Sequence, residues 1–159
     1  MYKIGDRVVY PMYGAGIIED IQLKEIDGAS VEYYVMRIPV GDLKITVSTA
    51  KAEQSGFRNV YPAETVENIV KNAETVEMSN NWNLRYKENL ATIKTGDLSK
   101  IVGIFKTLIF KERSKALSSI EKKLMGTAKQ IILSEIIVAR NTDKDDAEEL
   151  LTSGIALPV

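Results

Sequence analysis

At Tyr61-Pro62 the hydrophobic period of this chain changes, and that change limits the fold more than any other feature. Before it, short β-rich runs recur at close spacing: Arg7 to Tyr10, Ala15 to Leu23, Val31 to Ile38, Leu43 to Ser48 and Phe57 to Val60. Turn signals separate them, first Pro11 with Gly14 and Gly16, then Asp27-Gly28, then Gly41-Asp42. Five small strands in so short a stretch enclose a core only by curling, so an SH3-like or Tudor-like barrel is expected. Asp27-Gly28 suits a two-residue hairpin, because both central positions need positive φ, which glycine tolerates and aspartate visits. After Pro62, a residue suited to a first helical turn, apolar residues recur three and four apart. Val66, Ile69, Val70 and Ala73 share one side of a first helix, and Glu74 to Asn81 reads as a polar connection. A second helix carries Tyr86, Leu90 and Ile93 inward and stops at Gly96. Asp97 caps a third, striped by Leu98, Ile101, Val102, Phe105, Leu108 and Ile109. Ser118-Ser119-Ile120-Glu121 fits a capping box, with Glu121 reaching back to the cap. The long helix it opens runs through Leu124, Ala128, Ile131 and Ile132 toward Arg140, and Asp143 to Leu151 adds a short acidic one. The expected class is α+β: a small Tudor/SH3-like β-barrel over residues 1–60, then an all-helical bundle over 61–159.

Chemistry is narrowed by what the chain lacks. It has no cysteine and no histidine, so a thiolate nucleophile, a Cys-ligated metal and the commonest general base are excluded. No phosphate-binding glycine loop occurs. No catalytic residue, metal, cofactor or small-molecule substrate is therefore expected, and an enzyme is not. No apolar run approaches the ~18 residues of a membrane span, and the start, Met1-Tyr2-Lys3-Ile4-Gly5-Asp6, lacks a secretory stretch, so a cytoplasmic protein is expected. The net charge of −1 conceals a segregation. Residues 79–140 hold 12 basic and 5 acidic groups, whereas every other region is net negative. Such a block suits a polyanionic partner, and it also arises from lysine-rich solvated helix faces.

The block begins at the single tryptophan. Asn80 or Asn81 can cap the helix that Trp82 opens, and Asn83, Arg85 and Lys87 flank the indole. A flat apolar ring among amides and cations suits stacked bases and phosphates; equally, a tryptophan plugs a helix–helix joint, here against Phe105 or Leu90. Lys122 and Lys123 stand in the first turn of the long helix, where they oppose its dipole, a placement more easily tolerated if an anion arrives. In the barrel, Tyr10, Tyr13, Tyr33 and Tyr34 fit either an aromatic cage or ordinary filling. The run Leu43-Lys44-Ile45-Thr46-Val47 fits either an edge open to strand addition or an interior strand.

These residues carry a resemblance. Gly5-Asp6-Arg7-Val8-Val9-Tyr10-Pro11, then Gly14 and Ile17-Ile18-Glu19, with Asn81-Trp82-Asn83-Leu84-Arg85-Tyr86-Lys87 and Thr95-Gly96-Asp97-Leu98, resemble the CarD/CdnL family of bacterial transcription regulators. The first block is also similar to the polymerase-interacting module of transcription-repair coupling factors. The resemblance implies a Tudor-like barrel that docks on the β subunit of RNA polymerase and a helical domain that touches promoter DNA at the upstream edge of the bubble. A tryptophan there wedges into the minor groove and stabilises the open complex. On this chain the implied wedge is Trp82, with Arg85, Lys87, Lys122 and Lys123 as DNA-facing cations. The implied polymerase contacts are Lys24 and Thr46, of which Thr46 departs from the family's basic residue; the strand-addition reading adds Lys44, Ile45 and Val47 to that surface. The alternative is a protein-interaction adaptor that binds no DNA and keeps Trp82 in its core.

Overall fold

The computed structural model of the chain describes residues 1–155; residues 156–159, the end of the expected helical region, lie outside them. Strands β1 (Arg7–Tyr10), β2 (Gly14–Ile26), β3 (Ala29–Ile38), β4 (Leu43–Ser48) and β5 (Arg58–Asn59) form one antiparallel sheet in the order β4-β3-β2-β1-β5. A short helix, α1 (Thr49–Gln54), connects the two edge strands and was not foreseen; the Ser48 hydroxyl caps it by accepting from the Lys51 N–H. Asp27 and Gly28 both take positive φ, 51° and 81°, so the β2–β3 hairpin turns as its dipeptide requires. One face of the sheet closes over Val8, Ile18, Met36, Ile38 and Val47. Tyr10 and Tyr34 belong to that core with Phe57 between them, at ring separations of 4.7 and 6.4 Å, which makes them filling and not a cage.

Helices α2 (Ala63–Asn72), α3 (Trp82–Lys94), α4 (Leu98–Ser114), α5 (Ser119–Arg140) and α6 (Lys144–Gly154) follow. Their inward residues agree with the periodicity: Val66, Val70, Ile93, Leu98, Ile101, Leu108, Leu124, Ala128 and Ile132 are buried in one core. The connection Glu74–Asn81 is less polar in effect than it reads. Val76 and Met78 pack against the core, and the Val76 N–H donates to Thr107 Oγ1 at 2.9 Å. A methyl group at Gly103 would stand 2.5 Å from the Glu74 carbonyl, so that strap crosses α4 at a distance only glycine permits.

Sheet and helices meet along α5. Ser134 Oγ accepts from the Ala15 N–H at 2.8 Å, and Gly14, at φ 116°, leaves the room that this hydroxyl fills. Arg7 donates to the Val138 carbonyl, and Arg58 on β5 donates through Nη2 to both carboxylate oxygens of Glu135 and to the Gly96 carbonyl. One guanidinium thus joins β5, the α3–α4 turn and α5, with its central carbon over the Tyr61 ring, 4.4 Å from the centroid. Glu135 is fully buried, and desolvation outweighs the attraction of Arg58, lifting its carboxyl to about 7. No described helix is long and apolar enough to cross a membrane.

Candidate nucleic-acid interface and docking edge

Trp82 is the first residue of α3. Asn81 caps that helix, its Oδ1 accepting from the N–H groups of Asn83 and Leu84 at 3.0 and 3.2 Å. The indole remains 56% exposed, which contradicts the reading of Trp82 as a plug against Phe105 or Leu90. Its surroundings sharpen the observation. Among the described residues within helices α2 to α6, the large apolar side chains left exposed are Trp82, Leu84 and Ile120. All three lie in the first turns of α3 and α5, and neither Leu84 nor Ile120 was singled out from the sequence. The available signal was an apolar residue on the polar side of a first turn.

A buried ion pair joins those two turns. Arg85 donates through Nε to Glu121 Oε2 at 3.0 Å and through Nη2 to Glu121 Oε1 at 2.9 Å, and through Nη1 to the Ser79 carbonyl. Arg85 is 9% exposed and Glu121 8%. The expectation that Arg85 faces DNA is therefore corrected: the side chain is buried, and each of its three nitrogens donates within the protein. Glu121 also departs from the capping box. Ser118 does accept from the Glu121 N–H, but the Glu121 carboxylate reaches across to accept from Arg85 with both oxygens. Hydrogen bonding from Arg85 holds the Glu121 carboxyl below its usual range against the opposing effect of burial. The pair brings the amino end of α5, with Lys122 and Lys123 exposed, to the amino end of α3, with Lys87 exposed about 1.4 turns beyond Trp82. Two helix amino termini, with exposed cations on both helices, thus lie at the end of the molecule that carries the indole, an arrangement favourable to phosphate.

Other cations of the basic block are engaged by groups of the protein itself. Lys106 is buried and donates to the carbonyls of Lys71 and Ala73, closing the carboxyl end of α2; burial depresses its pKa. Arg140 pairs with Glu67 and Asp146.

In the sheet, β4 hydrogen-bonds among the described residues to β3 alone, so Leu43–Ser48 presents a free backbone edge. Its side chains divide. Val47 is buried and Ile45 half-buried in the barrel core, whereas Lys44 and Thr46 are exposed on the opposite face. Thr46 pairs with Val35, which pairs with Asp20, and alternation along β2 places Lys24 on the same outer face, over the Tyr33 ring at 5.2 Å. Lys24, Lys44 and Thr46 therefore share one surface, and Ile45 and Val47 offer only their backbone to it.

Residues 2–61 match the family model described as CarD-like/TRCF RID domain, and residues 65–152 match the CarD C-terminal domain. Over 143 residues the sequence is 34% identical to the protein named "Putative transcription factor YdeB" of Bacillus subtilis (strain 168), covering 88% of this chain and 93% of that protein.

Proposed function

The chain belongs to the CarD family of transcription regulators, and from that membership we propose that it docks through its sheet on the β subunit of bacterial RNA polymerase and, through Trp82, stabilises the open promoter complex. In this reading residues 1–60 form the polymerase-binding unit and 61–159 the DNA-contacting unit, acting in the cytoplasm on the nucleoid. The observation that carries it is the exposed indole at the first turn of α3, beside a second helix amino end that bears Lys122 and Lys123.

Lys87, Lys122 and Lys123 supply about three phosphate contacts, enough only for weak, salt-sensitive binding with a dissociation constant on the order of 10⁻⁴ M. Docking through the free β4 edge and the Lys24 face makes that contact intramolecular. At an effective concentration of about 1 mM such a site is roughly 90% filled. Inserting the indole from the minor groove at the upstream edge of the bubble offsets part of an unstacking cost of a few kcal/mol per step. That gain applies to melted DNA and not to closed duplex, so the equilibrium shifts with no chemical step. Base sequence enters through deformability more than through direct readout.

The test reads one variant in two assays. Trp82→Ala is expected to shorten open-complex lifetime about ten-fold, which corresponds to losing about 1.4 kcal/mol from an insertion worth a few kcal/mol. Retention on polymerase in a pull-down should stay unchanged for this variant. An unaltered lifetime contradicts the wedge.

A further inference from the structure

We propose that Arg85 and Glu121 are positioning residues for Trp82: their buried ion pair locks the first turn of α3 to the first turn of α5 and fixes where the indole stands relative to Lys122 and Lys123. Its consequence for transcription rests on the wedge reading above; its mechanical content does not.

The contrast in burial is the starting point. Asn81, Trp82, Asn83 and Leu84 are exposed, as are Ser118, Ser119, Ile120, Lys122 and Lys123, yet the two members of the pair within these stretches are buried. The apolar anchoring of α3 is concentrated in its later turns, with Ile93 fully buried and Tyr86 and Leu90 half-buried. At the amino end Trp82 and Leu84 are about half exposed, and the buried contact that fixes the azimuth of the helix there is polar.

The fork supplies that geometry. Two parallel bonds of 3.0 and 2.9 Å from Nε and Nη2 to the two carboxylate oxygens define both distance and plane. The third donor, Nη1, holds the Ser79 carbonyl at 2.9 Å, and Ser79 Oγ in turn accepts from the Asn81 N–H at 3.1 Å. A continuous path of hydrogen bonds therefore runs from Glu121 through Arg85 and Ser79 to the capping residue on which Trp82 follows. Trp82 precedes Arg85 by three residues, about one helical turn, so any rotation of α3 that the fork prevents would swing the indole. Stability alone does not require such a pair, since well-packed apolar residues commonly replace a buried ion pair without loss. A fixed orientation does require it, or an equivalent directional contact.

Because the chain has a single tryptophan, its fluorescence reports on this position alone. Time-resolved anisotropy on the free full-length protein is expected to show the sub-nanosecond depolarisation amplitude rising about two-fold in Glu121→Gln and in Arg85→Lys, the timescale of a freed surface side chain. Far-UV circular dichroism at the assay temperature identifies a folded variant, and Arg85→Lys, which retains the charge and one donor, serves if Glu121→Gln does not fold. Unchanged anisotropy in a folded variant overturns the proposal. In the promoter assay the same variants are expected to shorten open-complex lifetime at least about three-fold with polymerase retention intact, a loss of about 0.7 kcal/mol. If Trp82→Ala leaves the lifetime unaltered, the wedge reading fails while anisotropy still decides the positioning role. If Trp82→Ala shortens it and a loosened Glu121→Gln does not, the positioning proposal fails and the wedge stands.

Discussion

Glu135 shows how one residue couples the sheet to the helices and makes the coupling sensitive to pH. Its carboxyl is lifted from 4.5 to about 7 because burial outweighs Arg58. The folded state therefore holds a proton that the unfolded state has released between those values. The group's contribution is fully present below pH 4.5 and is lost as pH rises through about 7. A shift of that size corresponds to about 3 kcal/mol. Denaturant unfolding of wild type and Glu135→Gln across pH 4.5 to 7.5 is expected to show the wild type losing stability relative to the variant as pH rises, by up to about 3 kcal/mol. Parallel curves would contradict the assignment. The same scale explains the misreading of Arg85. Sequence shows where a cation lies along a helix but not whether a carboxylate from another helix meets it. Glu121 was visible as a capping residue, and its true partner lies 36 positions away.

Elements were the most legible level. Strand runs bounded by Pro, Gly and Asp-Gly, and helices opened by Pro62, Asn81, Asp97 and Ser118, are set by local backbone chemistry. They emerge within a few residues of their expected ends. Helix α1 escaped because it is six residues long and shows no period to read. Thr49–Gln54 is recognisable only from the Ser48 cap and from Ala52 tucked under the barrel. The Glu74–Asn81 strap escaped for the opposite reason: its composition is polar, and what pins it is the missing side chain at Gly103 on another element. Strand β4 makes a prediction at this level. Its open edge carries the exposed, uncharged Thr46 on the face that Lys24 and Lys44 share. Thr46→Lys is expected to tighten binding to the polymerase β subunit about three-fold, chiefly through association rate, and Lys24→Glu to weaken it. Surface plasmon resonance on the isolated subunit measures both; no change in either variant would remove that face from the interface.

Over the whole molecule, the regional charge pattern pointed toward a polyanion and overstated the surface that meets it. Arg85 and Lys106 belong to the basic block yet close an ion pair and a helix end inside the protein, and Arg140 is spent on surface ion pairs with Glu67 and Asp146. The cations that remain beside Trp82 are few, which favours a device that needs a second attachment over an autonomous DNA binder. The long-range ties along α5, from Ala15, Arg7 and Arg58, hold the sheet in a defined relation to the α3–α4 turn and hence to the tryptophan helix. None was readable in one dimension, because each joins residues more than thirty positions apart. The most direct test places a photo-crosslinking phenylalanine analogue at position 82 of the full-length chain and irradiates it in the assembled polymerase–promoter complex. A crosslink to DNA confined to the upstream edge of the melted region is the result expected of an inserted side chain. Crosslinks to polymerase alone, or to duplex DNA away from the bubble, would contradict it.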